Sequence, residues 1–457
     1  MGTAAARMAG LVVWSNVALL ALAGVARAGN EDSFLFGDHA SMMAGAVIAT
    51  ASGTGATWYN PAGLGQNVRG RLELSGTAFT LRLRRIPDGL QVTGPQDARQ
   101  AIKSTQLFIV PSSIVWVRQL RPHVSLGLGV FVTEQDIFRF DGDIQIPRDS
   151  SGYSNNVDGQ LSGTILRYHL GASIGWQMGS RLRLGASVFA VYEKHDEFRK
   201  LFADATSGGD FETTFLQRLV DAEVSRLSFE VVVGAQLSIT DHWLLGAVVR
   251  SPRLTVWEGA STDNSTSLVS RGPTVSAVTL TNVDHTLINN AGTGLTMPPR
   301  IYLGVARRTS QYELALELDV RPPIFSELRA ARWAINGRAG YLRQLNATNQ
   351  LGFGLFTDRG GYAPPRVFPD ARVDYYGATV GWKRKSRVKL RAGERATTLL
   401  FSTTVAVRYA LGFGESTTIR FDYADTAATG RVARIDDARV DVIYHELSLY
   451  LGTSLEF

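Results

Sequence analysis

Apolar side chains recur at every second position, over stretches of nine or more residues, through most of this chain. Tyr312, Leu314, Leu316, Leu318 and Val320 alternate with Glu313, Ala315, Glu317 and Asp319, so one face is apolar and the other carries carboxylates. Val124–Val132, Leu182–Tyr192, Phe229–Leu237 and Trp243–Val249 repeat the pattern. Strict alternation specifies strand rather than helix. The runs exceed the roughly five or six residues of a soluble strand and match the ~9–11 that cross a bilayer obliquely.

The connections differ at the two ends of these runs. Short polar turns, Gln119–His123, Gln177–Arg181, Thr240–His242 and Thr309–Gln311, alternate with long segments near Pro87–Lys103, Asp141–Gln160, Arg199–Asp221 and Glu258–Pro298. Short turns at one rim and long loops at the other describe an outer-membrane barrel. Lipid offers no partner to a backbone N–H or C=O, so a sheet within it must close on itself. A soluble sandwich or propeller would need shorter strands and denser turns, and no repeat of fixed length is visible.

Composition narrows the field further. With no cysteine among 457 residues there is no disulfide framework, thiolate metal site or cysteine nucleophile. Charged residues are 19% and scattered, with 47 Lys+Arg against 41 Asp+Glu, so no basic patch marks a nucleic-acid partner. Arg7, the apolar Leu11–Val25 and Ala26-Arg27-Ala28 form a secretory signal peptide over 1–28, with cleavage expected before Gly29.

Fifteen strand segments can be counted from Arg71 onward, whereas the rim asymmetry requires an even number. Either Ser386–Glu394 is a further strand, giving sixteen, or the number is fourteen. The last segment, Tyr444–Phe457, alternates and stops on Phe457, as in the signal read by the outer-membrane assembly machinery.

Residues 29–69 break the pattern. Ala44–Gly55 is rich in Gly, Ala, Ser and Thr and leads into Trp58-Tyr59-Asn60-Pro61-Ala62-Gly63-Leu64. Such a stretch is too compact and apolar for a solvated tail, which makes a plug in the lumen the economical reading. Phe36-Gly37-Asp38-His39-Ala40, Met43-Ala44-Gly45-Ala46 and Trp58–Leu64 resemble the FadL/TodX family of outer-membrane transporters for long-chain fatty acids and other hydrophobic compounds. Weaker echoes lie at Leu245–Pro252, Pro299–Val305 and Tyr376–Trp382.

The resemblance implies an all-β fold, an antiparallel transmembrane β-barrel of fourteen strands with an N-terminal hatch. The domains expected are a signal peptide (1–28), a hatch (29–69) and a barrel (70–457). It also implies passive, gradient-driven uptake of a hydrophobic solute, with no catalysis and no cofactor. Asn60, Pro61, Ala62 and Gly63 are the candidate gate element. Pro111, Ser112 and Ser113 are the candidate kink for a sideways exit, because Pro111 removes one ladder N–H from the second strand. Expected partners are the solute, outer-membrane lipid and lipopolysaccharide, and the assembly machinery, with the chain working as a monomer. The hatch element also occurs in barrels of other function, so a binding or assembly component for secreted proteins and a general porin stay open.

Enzyme-like constellations are weak. Gly171-Ala172-Ser173-Ile174-Gly175 satisfies G-x-S-x-G, but it sits in a continuous strand and not at a strand-to-helix elbow. Glu193, His195, Asp196 and Glu197 cluster at a strand end without a second histidine-rich segment. No P-loop or dinucleotide fingerprint is present, and no metal-ligand set emerges. Arg82, Arg84 and Arg85 are expected at the outer rim, facing lipopolysaccharide phosphates. The run Lys383–Arg391 is expected to face outward in a fourteen-stranded barrel or to include a periplasmic turn in a sixteen-stranded one. Arg338 is expected opposite Glu313. Trp116, Trp176, Trp243, Trp257 and Trp382 suit an interfacial girdle.

Overall fold

The computed structural model describes residues 34–66, 70–93, 96–148, 154–207, 212–271, 278–290, 294–326, 329–361, 371–392, 395–424 and 432–457. The expected signal peptide, 1–28, lies outside the described residues, as do 29–33 and 67–69 of the expected hatch.

Two short helices, α1 (Asp38–Met42) and α2 (Ala56–Tyr59), and 3-10 turns at Gly53–Gly55 and Pro61–Gly65 precede the strands. The first strands are β1 (Arg71–Thr93), β2 (Ala98–Arg121), β3 (Val124–Ile146), β4 (Ser154–Met178), β5 (Leu182–Ser207) and β6 (Glu212–Ser238). Then come β7 (Trp243–Arg250), β8 (Arg253–Arg271), β9 (Val278–Asn290), β10 (Gly294–Met297), β11 (Arg300–Arg308), β12 (Tyr312–Arg321), β13 (Ile324–Ser326) and β14 (Arg329–Ala331). The chain ends with β15 (Ala334–Gln344), β16 (Asn349–Asp358), β17 (Ala371–Ala392), β18 (Arg395–Ala424) and β19 (Val432–Glu456).

All but β13 and β14 join one sheet, and antiparallel pairing of β1 with β19, from Arg71↔Glu456 to Arg85↔Ile443, closes it. Closure leaves no edge to be satisfied by lipid. The wall is inverted relative to a soluble protein: Leu316 is 53% exposed, whereas its neighbour Glu317 is 6% exposed. Along β12 the apolar positions face out and the carboxylates face in, as a lipid-facing wall around a polar lumen requires. Trp176, Trp243, Trp257 and Trp382 are exposed on this outer surface, and Trp116 is half-buried.

Five expectations need correction. The supposed long loops are mostly ladder: β3 and β4 stay paired to Ile146↔Asn155, and β5 and β6 to Ser207↔Glu212. In β3 the alternation continues there with its sense reversed, Phe138, Phe140, Ile144 and Ile146 facing in and Arg139, Asp141 and Gln145 facing out, so the ladder extends beyond the outward apolar band. Ser386–Glu394 is not a further strand, because β17 runs unbroken to Ala392 and pairs with β18 up to Ala392↔Arg395. The basic run therefore lies at the short-turn rim, and Lys383 is buried instead of facing lipopolysaccharide. Arg82 and Arg84 are also buried, because β1 continues past them to Thr93; Arg85 alone of that trio is exposed. Arg338 pairs with Glu317 rather than Glu313, because Ser326↔Arg329 at the tip centres the hairpin later than expected.

Prolines divide two of the paths. β7 and β8 lie end to end along the same neighbour, β6, separated at Ser251–Pro252. β11 pairs β7 and β10 pairs β8, with Pro298 and Pro299 between them. Proline lacks the ladder donor, which accounts for both interruptions.

Candidate functional site: the occupied lumen

Residues 34–66 lie inside the barrel, almost all of them buried. The wall makes room for them with glycine. A Cβ on Gly175, Gly185, Gly234, Gly246, Gly340, Gly352 or Gly381 would come closer than 3.0 Å to an atom of this segment. These glycines face Pro61, Leu64, Asn60, Ile48, Met43 and Met42, so the segment packs directly on wall backbone.

The Asn60–Gly63 element ties the segment to itself and to the wall. Asn60 caps the Pro61–Gly65 turn by accepting from Ala62 N at 3.1 Å, and Pro61 occupies the first helical position. Its Nδ2 donates to Ile48 O at 2.8 Å and to Ala235 O of β6 at 3.1 Å. At Gly63 a Cβ would overlap the carbonyl of Ala51, so glycine is required there. All four residues are buried.

Wall side chains hold the segment at further points. Glu317 accepts from Val47 N at 3.1 Å and Ile48 N at 3.2 Å while pairing with Arg338. Gln236 donates to Ile48 O and Ala51 O. Asp38 pairs with Lys383 at 2.7 Å and accepts from Ser402 at 3.2 Å. Burial pushes the Asp38 carboxyl up, but the Lys383 ammonium and the Arg71 guanidinium outweigh it and hold it below the usual range. Glu73 binds the Asp38 amide and the Thr54 hydroxyl, and His39 meets Glu313 at 2.9 Å. Trp58 packs among Phe36, Phe131, Phe189 and His169. The Arg250 guanidinium lies 4.2 Å from its ring centroid and donates to its carbonyl.

Above the segment a second apolar cluster is drawn, apart from Ala44, from the wall itself; it includes Leu90, Phe138, Val157, Phe421 and Tyr444. Buried ion pairs line the lumen between the two clusters. Arg167 joins Glu134 at 2.6 Å and Glu193 at 2.8 Å, Arg250 joins Glu230 at 2.6 Å, and Arg300 joins Asp319 at 2.7 Å. Arg82 contacts Glu446 at 2.7 Å and Asp136 at 3.1 Å, and Arg84 contacts Asp136 at 2.7 Å. An open cavity of about 320 Å³ lies at the short-turn rim, bordered by Asp38, Arg308, Glu313 and Lys383.

The wall loosens at β2. β2 and β3 pair at Lys103↔Asp141 and again from Ser113↔Phe131, but Ser104–Ile109 make no ladder pair with β3. Pro111 belongs to β2, but its side chain is outside the described residues; Ser112 and Ser113 are buried. Register also shifts between β1 and β2 around Thr77 and Thr80.

The weak enzyme-like motifs are absorbed into this architecture. Ser173 lies mid-strand in β4, accepts from Ser187 and donates to Thr57 O of the segment. Glu193 is paired with Arg167, and His195 with Glu197, while Asp196 meets Lys194. The wall clamps Glu317, Gln236 and Arg250 escaped the sequence reading. Gln236 and Arg250 share one signal, a polar residue two or four positions from an inward glycine, Gly234 or Gly246; Glu317 is marked only by its inward parity on β12.

No protein-family model matches the sequence, and no curated protein matches it. Among solved structures, a Pseudomonas aeruginosa FadL homologue superposes with a TM-score of 0.55 at 12% identity, over 94% of this chain and 100% of that one. The Pseudomonas putida toluene transporter TodX follows with a TM-score of 0.48 at 13% identity, covering 92% and 98%. The CymD monoaromatic hydrocarbon channel gives 0.48 at 11%, covering 95% and 98%. Fold and site together define a closed membrane β-barrel whose lumen holds an N-terminal segment. More particularly, the chain has the fold of the FadL homologue, so the likeness read from Phe36–Ala46 and Trp58–Leu64 is borne out at the level of architecture.

Proposed function

We propose that the protein is an outer-membrane channel for passive uptake of hydrophobic small molecules such as long-chain fatty acids, gated by its N-terminal segment as a hatch. The observation that carries this reading is the nature of the lower seal. Residues 34–66 are held by hydrogen bonds, ion pairs and apolar contact with a glycine-lined wall, which are reversible. A general porin needs an open water path, and this lumen is occupied.

In this reading residues 1–28 are removed as a signal peptide, 29–69 form the hatch and 70–457 the barrel. Fourteen staves are supported by the pairing, if β7 with β8 forms one stave and β9, β10 and β11 another. Solute enters the upper apolar cluster, the Asn60–Gly63 element shifts as the gate, and the unpaired stretch of β2 beside Pro111, Ser112 and Ser113 is the sideways exit into lipid. Phe457, exposed at the end of the wall and hydrogen-bonded through its N–H to Gly70 O at 2.9 Å, is the assembly signal. The protein acts as a monomer among lipid and lipopolysaccharide.

The test is planar-bilayer conductance of the mature chain beside a variant lacking 29–69, followed by uptake of labelled fatty acid. A nearly silent parent and a conducting variant support the hatch. A large steady conductance from the parent overturns it.

A further inference from the structure

Where β2 leaves the ladder, β1 reaches past it. Leu107 and Ile109 of the bypassed strand are among the most exposed apolar residues of the wall, at 70% and 73%. The bridging is done by arginine. Arg82 Nη1 donates to Gln135 O at 3.0 Å, and Arg84 Nη2 donates to Asp136 Oδ2 at 2.7 Å. Gln135 and Asp136 belong to the part of β3 that faces the unpaired Ser104–Ile109. Side chains of β1 thus stand in for missing ladder bonds and tie β3 to the barrel from the lumen side.

This tie is incomplete in a specific way. Arg84 is buried, 4% exposed, yet its Nη1 has no hydrogen-bond partner. Its guanidinium lies 5.7 Å from the Tyr444 ring centroid, at the edge of the upper apolar cluster. Arg82, Arg84 and Arg408 outnumber Asp136 and Glu446, the carboxylates they contact. A planar guanidinium with a spare donor is matched by a carboxylate. An uncompensated buried cation favours recruiting one.

We propose that the Arg82–Arg84–Asp136 cluster is a staple on the side opening, and that the carboxylate of an amphipathic solute releases it by taking Arg84 from Asp136. The tail of the solute lies in the apolar cluster while its headgroup competes for the guanidinium. Asp136 then loses a partner, and the β3 stretch it anchors moves away from β2. A neutral hydrocarbon fills the same apolar space without releasing the staple. The proposal rests on the transport reading and adds to it a trigger for the sideways exit.

The absence of native cysteine makes the test direct. Leu107→Cys and Ile137→Cys, both on the outer surface, are spin-labelled in the full mature chain in lipid nanodiscs, and the distance between labels is measured. Laurate is expected to lengthen it by about one strand spacing, ~5 Å, while methyl laurate leaves it unchanged. Asp136→Asn is expected to show the longer distance without any solute, and Asp141→Asn on the same strand to match the parent. Equal responses to laurate and methyl laurate overturn the proposal, as does a parent-like distance in Asp136→Asn. The laurate comparison in the parent stands even where the variant folds poorly. Failure of the transport reading registers separately, as absent laurate uptake with Asp136→Asn still displaced.

Discussion

The two halves of the lumen are closed by different means. In the half near the short turns, the wall contributes glycine and the N-terminal segment contributes the side chains, with Met42, Met43, Ile48 and Leu64 fully buried against it. In the other half the wall fills its own interior with Leu90, Phe138, Phe421 and Tyr444. The lower seal is therefore a docked segment, not part of the strands. The upper one can part only by side-chain rotation or strand displacement. A buried core of fixed strands resists volume change, whereas a docked segment is limited by the sum of its tethers.

Substitutions can break this contrast. The largest effect is expected from Gly246→Leu, which places a side chain where the Ile48 carbonyl sits. The segment cannot seat, and bilayer conductance should approach that of the variant lacking 29–69. Parent-like silence would show that the wall yields instead. Next, Arg250→Ala leaves Glu230 with a weakened partner set and frees Trp58, a loss of about 3 kcal/mol by analogy with broken buried pairs. Hydrogen exchange should then rise across 56–65 and stay unchanged across β17 and β18. Phe421→Ala acts on the upper half. It should cost roughly 3 kcal/mol of packing, seen as a lower thermal midpoint and weaker laurate binding, with conductance still near zero.

The smallest effect concerns acid. Because Lys383 and Arg71 hold the Asp38 carboxyl below its usual range, its contribution to docking is complete above the ordinary carboxylate pKa. It is lost as pH falls through the lowered value. The part of the parent's conductance that Asp38 controls should rise only below about pH 4. Asp38→Asn should show a small leak at neutral pH and a flatter acid limb. An identical acid limb in the variant would assign the effect to another carboxylate.

Alternation made the barrel legible, since a lipid-facing wall must place its apolar residues at every second position. The small residues of 44–55 and the Asn60–Gly63 element made the inserted segment legible by contrast. Cross-strand chemistry was not legible. Sequence alone puts Arg338 opposite Glu313, because hairpin register cannot be read to within two residues, and that slip is enough to change the partner to Glu317. Arg82 and Arg84 read as rim residues because a charge on a strand suggests a strand end unless its alternation with the outward Leu83 is weighed. The β1–β3 bridge was hidden for a further reason: it depends on β2 being bypassed, and only the three strands together show that.

The inserted segment also bears on how the wall is built. Ring closure joins Arg71 to Glu456, nearly the whole chain apart, so it carries the largest loop-closure entropy of any pairing and occurs late. The segment precedes β1 and touches β6, β7, β12, β15 and β17 through Asn60, Ile48, Glu317, Met43 and Lys383. Its contacts therefore join staves that lie far apart in the chain. A chain without it should reach the same barrel more slowly, with more material lost to open sheets.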